Sequence, residues 1–355
     1  MEYTGINSVR SFGAKGDGRT DDSAAIQRAI DAFGSAGGTL FFPPGRYVCA
    51  DIRVKPHVAL TAAPTWSYSG DDRFGATVLL LAREDAVCLL DITDAVGATI
   101  EGLALDGRQL GRNGHEVHGI SMIRKGSDYG RVENTVRVER CLVSDFSGDA
   151  LHLDHVWCVT VSRNMLSGCR HGIYVNGWDL FILHNWLSGN RECGYYGYPG
   201  VNKGVQLAGN RIEWNGTCGI SGQGGEHLHI TGNQMDRSGA EGIRIEGFKR
   251  VTIVGNTFFR CGKSTAEEQR NTNLALLNGR GAVVSGNDFG AYCDDDGVSS
   301  RLSPDYDMVI GRLRHSVISH NVLYQAAVKA PILDLGGHDN LQMTANPQCL
   351  ATDDF

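Results

Sequence analysis

No run of about 18 apolar residues occurs in the chain, so no segment reads as a membrane-spanning helix. Proline is scarce, 8 of 355 residues, and there is no low-complexity tract that would mark a disordered linker. The ten cysteines form no C-x-x-C pair and no metal-ligand spacing, which excludes a zinc ribbon or finger. A disulfide framework is not expected in a chain long enough to bury a large core. Positive charge is not in excess: 33 Lys and Arg stand against 40 Asp and Glu, a formal net charge of −7, which argues against an extended phosphate-binding surface. The opening stretch MEYTGINSVRSFG lacks the basic-then-apolar pattern of a signal peptide. The expectation is a cytoplasmic chain, or a secreted one whose signal has been removed.

What the chain has is glycine and a repeat. Glycine numbers 47 of 355, about 13% against a usual ~7%, which suits many tight turns between short strands. The phrase apolar-x-apolar-x-x-Asn recurs, ending at Asn164, Asn185, Asn210, Asn233, Asn256, Asn287, Asn321 and Asn346. Between its copies lies a second phrase, seen as GIYVNG (172–177), GISGQG (219–224) and GIRIEG (242–247). Short alternating strands at a period of roughly 20 to 30 residues, with no helix between them, predict a β-solenoid. The expected architecture is all-β, a parallel β-helix of about ten coils in a single domain over 1–355. It has a cap over 9–50, coils over 51–346 and a loose tail over 347–355. In the cap, Thr20 is the expected N-cap, with Asp21 and Asp22 in the first helical turn. Ile26, Ala29, Ile30 and Phe33 form the apolar stripe of a helix of about three and a half turns.

The cap carries a resemblance. FGAKGDGRTDDSAAIQRAID followed by GGTLFFPPGRY is similar to the opening of the pectate-lyase-type right-handed parallel β-helix superfamily, which includes polygalacturonase relatives. That resemblance implies a right-handed helix of three strands per coil, with the asparagine at the turn between the second and third. It also implies a polysaccharide ligand, and trimers occur among such proteins. GDALHLDH resembles the Y-G-F-D-P-H segment of mannuronan epimerases, with His152 and Asp154 in reversed order and Asp149 in the tyrosine's place. The N-T-D-G, D-D and G-H-G signatures of polygalacturonases are missing, and Arg244-Ile245-Glu246 stands where that family has R-I-K.

Alternation along the strands assigns side chains to faces. Leu151, Leu153, Ile173, Val175, Ile220, Ile243 and Ile245 should point inward. Outward should point His152, Asp154, Tyr174, Asn176, Tyr196, Tyr198, Ser221, Gln223, Arg244 and Glu246. Tyrosines interleaved with planar polar groups are how proteins hold sugars, so this stripe is the expected substrate face. Excursions over 108–118, 262–273 and 291–306 should wall a groove at its ends. On the third strands Glu213 and Asp236 fall three residues after their asparagines, stacked ~5 Å apart and facing outward, with Trp186, Arg211, Trp214 and Arg237 near. A carboxyl pair at ~5–5.5 Å suits retaining glycoside hydrolysis.

Two candidate catalytic sets follow. Glu213 and Asp236, or Asp154 with an acidic neighbour among Asp149, Glu192, Glu241 and Glu246, would serve hydrolysis or intramolecular transfer, the preferred reading. Glu246 lies about four coils, ~19 Å, from Asp154 and cannot pair with it directly. His152, Asp154, Tyr174, His171 and Arg244 supply the base, acid and cation that uronate elimination or epimerisation needs. A non-catalytic glycan-binding, tailspike-like solenoid is the rival from another class. No cofactor and no metal set is expected; the run Asp294–Asp296 reads as a solvated loop. Cys193 and Cys218 should stack as buried, reduced thiols on adjacent coils.

Overall fold

A computed structural model describes residues 5–70, 72–111, 114–123, 133–290 and 303–351. The chain folds as a right-handed parallel β-helix of three parallel sheets. It divides into two compact units, Met1–Phe181 and Ile182–Phe355. Among the described residues no helix is long and apolar enough to cross a membrane.

In the first unit the helix runs over Ser23–Asp31, shorter than expected and starting later. Ile26, Ala29, Ile30 and Phe33 are buried as the stripe requires. Thr20 is not its cap: it lies in the strand Asp17–Asp21, and its amide and hydroxyl both go to the Asp17 carboxylate. Asp22, the cap position, turns its side chain back to the amides of Lys15 and Gly16 at 2.6 and 2.9 Å. The Gly-Asp-Gly segment therefore competes for the acids that would have capped the helix. The first-sheet strands Cys88–Asp91, His118–Ile123, Leu151–Trp157 and Ile173–Trp178 pair in parallel and in register. Cys141 occupies an asparagine slot, where its amide donates to Asn164 Oδ1 at 2.9 Å and burial pushes its thiol up to about 12.

In the second unit the asparagines form a continuous ladder. Each Nδ2 donates to the next Oδ1, Asn185 to Asn210 at 3.1 Å and Asn233 to Asn256 at 3.0 Å, on through Asn287 and Asn321 to Asn346. Each oxygen also accepts the amide of the preceding asparagine, so the buried turn polar groups satisfy one another. Phe258 and Phe289 stack in the core at 4.4 Å. Part of the expected loose tail is ordered: Gln348–Cys349 pairs with Val322–Tyr324. All nine described cysteines are free thiols, and Cys193 packs on Cys218. Residues 291–302, with the Asp294–Asp296 run and most of the third expected wall, lie outside the described residues.

Candidate active site

The inward residues named from the alternation are all wholly buried, which fixes the register of the opposite face. In the first unit Ser121, His152 and Tyr174 sit opposite one another on consecutive strands, with Ile123, Asp154 and Asn176 as the neighbouring row. Registered aromatic side chains on strands ~4.8 Å apart stack, and these do. His152 lies 4.4 Å from Tyr174 with planes 10° apart, and His118 closes the stack at 4.2 Å from His152. A Cβ at residue 148 would fall 2.5 Å from His118 Nδ1, so Gly148 is what lets the chain pass that close.

Behind the stack is Asp149, 0% exposed. Its Oδ2 accepts His152 Nδ1 at 2.7 Å and Arg170 Nη2 at 2.8 Å; its Oδ1 accepts Arg170 Nε at 2.9 Å. Arg170 also bridges to Glu116. Burial would push the Asp149 carboxyl up, but the bonds from His152 and Arg170 outweigh it and hold the group well below the usual range. A carboxylate only accepts, so His152 carries its proton on Nδ1 and leaves a lone pair on Nε2. Nε2 makes no hydrogen bond among the described residues, and the His152 side chain is 15% exposed. His118 is different. Burial first, then repulsion from His152, pushes it down to about 3. It is a neutral imidazole whose Nδ1 accepts the Asp149 amide at 2.9 Å. Asp154 is occupied on Oδ1 by Asn176 Nδ2 at 2.7 Å and His155 Nδ1 at 2.9 Å.

In the second unit Glu213 and Asp236 are opposite each other in register, as their spacing predicted. They are not open, however: Glu213 is 0% and Asp236 4% exposed. Trp186 Nε1 and Arg211 Nε each hold Glu213 at 2.6 Å, and the Arg211 guanidinium lies 4.5 Å from the Trp186 ring centre. Arg237 binds Asp236 Oδ2 at 2.6 Å and leaves Oδ1 buried without a partner. Burial, against Arg237 and with help from Glu213, pushes Asp236 up to about 6. The long side chains expected to frame this pair instead close over it.

Of the second unit's substrate face, Tyr196, Ser221, Gln223 and Arg244 gather around a cavity of about 360 Å³ that Cys218, Glu267 and Arg270 also line. Two of its lining side chains meet on buried Glu241, which accepts from Arg244 Nη1 at 2.8 Å and Arg270 Nε at 3.2 Å. Arg244 also binds Glu246 at 2.8 Å. Tyr198 is exposed and lies outside the strand Tyr195–Gly197. His118, Arg170 and Arg270 were not among the expected site residues. A signal for the buried column existed: His118, Asp149 and His171 each fall two residues before the first inward residue of a first-sheet strand, as do Cys193, Cys218 and Glu241.

Comparisons with known proteins agree with this architecture. A family model described as periplasmic copper-binding protein (NosD) matches residues 114–292, half of the chain. One described as rhamnogalacturonase A/epimerase, pectate lyase-like, matches residues 6–66. A capsule K30/K69-specific depolymerase of Klebsiella phage K5-2 is 28% identical over 322 residues, covering 82% of this chain and 37% of that protein. An alginate lyase of Azotobacter vinelandii is 58% identical over only 48 residues, 13% of this chain and 5% of its own length. The chain thus spans well under half of these curated relatives. Among solved structures, the A-module of an Azotobacter vinelandii mannuronan C-5 epimerase superposes with a TM-score of 0.68 at 20% identity, covering 97% of this chain and 100% of that one. The enzymatically active domain of a bacteriophage CBA120 tailspike reaches 0.68 at 14% identity, covering 92% of this chain and 51% of that one.

The NosD description names copper, and His118, Asp149 and His152 are a three-residue group with donor atoms close enough to share an ion. Their chemistry does not fit one. Both Asp149 oxygens face a guanidinium, which would repel a cation, and His118 Nδ1 is taken by an amide.

Proposed function

We propose that this chain, which belongs to the NosD family and to the pectate-lyase-like β-helix superfamily, is an enzyme acting on an acidic polysaccharide. Its reaction is proton transfer at the carbon beside a uronate carboxylate, as in β-elimination or epimerisation. The observation that carries this reading is the Asp149–His152 pair. A buried carboxylate fixes the tautomer and orientation of an imidazole whose other nitrogen is unengaged and reachable from the strand face.

In this reading His152 Nε2 accepts the ring proton, and the Asp149 carboxylate, itself held in place by Arg170, stabilises the imidazolium that forms. Tyr174, stacked parallel on His152, would return a proton to the sugar ring or to the leaving oxygen. Asp154 and Asn176 form the adjacent row and would orient hydroxyl groups. The similarity to mannuronan epimerases and to a capsule depolymerase supports a carbohydrate polymer as substrate.

Two-carboxylate hydrolysis is the second reading, and Asp236 favours it, because a carboxyl pushed up to about 6 can act as a general acid. Against it stands the enclosure of Glu213 and Asp236 beneath Trp186, Arg211 and Arg237. A panel of polyuronates and capsular glycans distinguishes the two. Unsaturated end groups, or solvent deuterium entering the sugar without chain cleavage, are expected. New reducing ends with neither signal would replace this proposal by the hydrolytic one.

A further inference from the structure

In a chain of net charge −7, one cavity of the second unit is walled by cations. It measures about 490 Å³ and is lined by Lys249, Arg280, Arg312 and Arg314, with Phe248, Asn278 and three glycines. Lys249, Arg280 and Arg314 begin the neighbouring strands Lys249–Val254, Arg280–Ser285 and Arg314–Ser319 of one sheet and are opposite one another in register. Like charges so placed, ~4.8 Å apart, destabilise a sheet unless something answers them. Among the described residues none of the four makes an ion pair, and carboxylates stand in register only at the two ends of the row, Glu226 beside Lys249 and Asp339 beside Arg314. The acids next in register leave them alone, since Glu226 turns to Lys203 at 4.0 Å and Asp339 makes no salt bridge to Arg314. Glu246, beyond Asn278, is taken by Arg244. The floor is tight, because a Cβ at Gly279 would lie 2.1 Å from the Phe248 ring.

We propose that this row is a binding site for a polyanionic glycan, separate from the His152 stack. Lys249, Arg280 and Arg314 meet successive carboxylates of the polymer, and Arg312 stands beside them. One coil rise, ~4.8 Å, is of the order of one pyranose ring along a chain, so the row repeats at a spacing such a polymer can follow. Nucleic acid fits less well. The net charge of −7 opposes a long phosphate backbone, and the one aromatic lining residue, Phe248, is buried and offers no stacking face. The glycan class rests on the acidic-polysaccharide reading above, while the unanswered cation row does not.

The test is equilibrium binding of fluorescent polygalacturonate, dextran and double-stranded DNA to the full chain, with inorganic phosphate as competitor. Wild type should bind polygalacturonate, more weakly as salt rises, and should not bind dextran. The triple variant Lys249→Gln/Arg280→Gln/Arg314→Gln should bind about tenfold or more weakly, and Arg280→Gln alone about threefold. All these side chains are exposed, so the thermal midpoint should hold or rise as repulsion is removed. Unchanged binding by the triple variant overturns the proposal. Preference for DNA over polygalacturonate also overturns it, as does full displacement by phosphate at concentrations that leave no advantage to a polymer. Because binding is read without turnover, a still-active His152→Ala would defeat the catalytic reading and leave this one standing.

Discussion

The two units build one arrangement twice, with different chemistry at its tip. In the first, buried Asp149 takes an arginine from the following coil, Arg170, and reaches the residue three positions on, His152. In the second, buried Glu241 takes Arg270 and likewise reaches the residue three positions on, Arg244. Both carboxyls are pushed up by burial and pulled back further by their partners, so both lie below their usual range. The difference is the outward residue. An imidazole can lose and regain a proton near neutral pH, whereas Glu241 and Glu246 only deepen the permanent charge of Arg244 against its burial. The same scaffold thus presents an imidazole in one unit, the proposed proton-transfer site, and a fixed charge beside Tyr196 and Gln223 in the other.

The largest expected effect breaks the first half of that comparison. His152→Ala should lower kcat by about 10³-fold with an unchanged fold, measured by initial rates beside circular dichroism. In the proposed reading Asp149 acts through His152 as a positioning residue. Asp149→Asn should cost about 10²-fold and shift the pH profile of kcat/KM, and Asp149→Glu should restore part of both, which a purely structural role would not do.

Asp236 is the contrasting, sealed carboxyl. Its folded pKa is raised, so it contributes stability that is fully present below about 3.8 and lost as pH rises through about 6. Asp236→Asn should therefore match wild type near pH 4 and gain on it toward pH 7, by roughly 3 kcal/mol at most. Thermal midpoints across that range read the gap, and catalysis should change little. Asn233→Ala removes a rung that bonds Asn210, Asn256 and the Leu207 carbonyl, and should cost about 2 kcal/mol in denaturant unfolding. The smallest effect sharpens the second half of the comparison. Arg244→Ala should raise KM by about tenfold, worth ~1.4 kcal/mol, and leave kcat nearly unchanged.

The coils were legible because period-two alternation and the turn asparagines are local signals. Leu151, Leu153 and Ile173 inward, His152 and Tyr174 outward, and Glu213 opposite Asp236 all follow from counting. What counting cannot show is cover. Whether Glu213 meets solvent depends on Trp186 and Arg211 folding across it from their own positions in the sheet. The helix start was misplaced because Asp17 and Asp22 spend their carboxylates on nearby turn amides. His118 and Arg170 were missed because coil lengths vary. The column two residues before each first inward residue, which holds His118 and His171, appears only once those strands are aligned, and Arg170 lies one residue outside it.

The central claim is that His152, and not the Glu213–Asp236 pair, moves the proton. Wild type, His152→Ala and Glu213→Gln should be run on the same polyuronate in deuterated water, with solvent deuterium and unsaturated end groups counted in the product. The arrangement around Asp149 predicts that both signals vanish in His152→Ala and persist in Glu213→Gln. Signals that persist in His152→Ala and vanish in Glu213→Gln would contradict it.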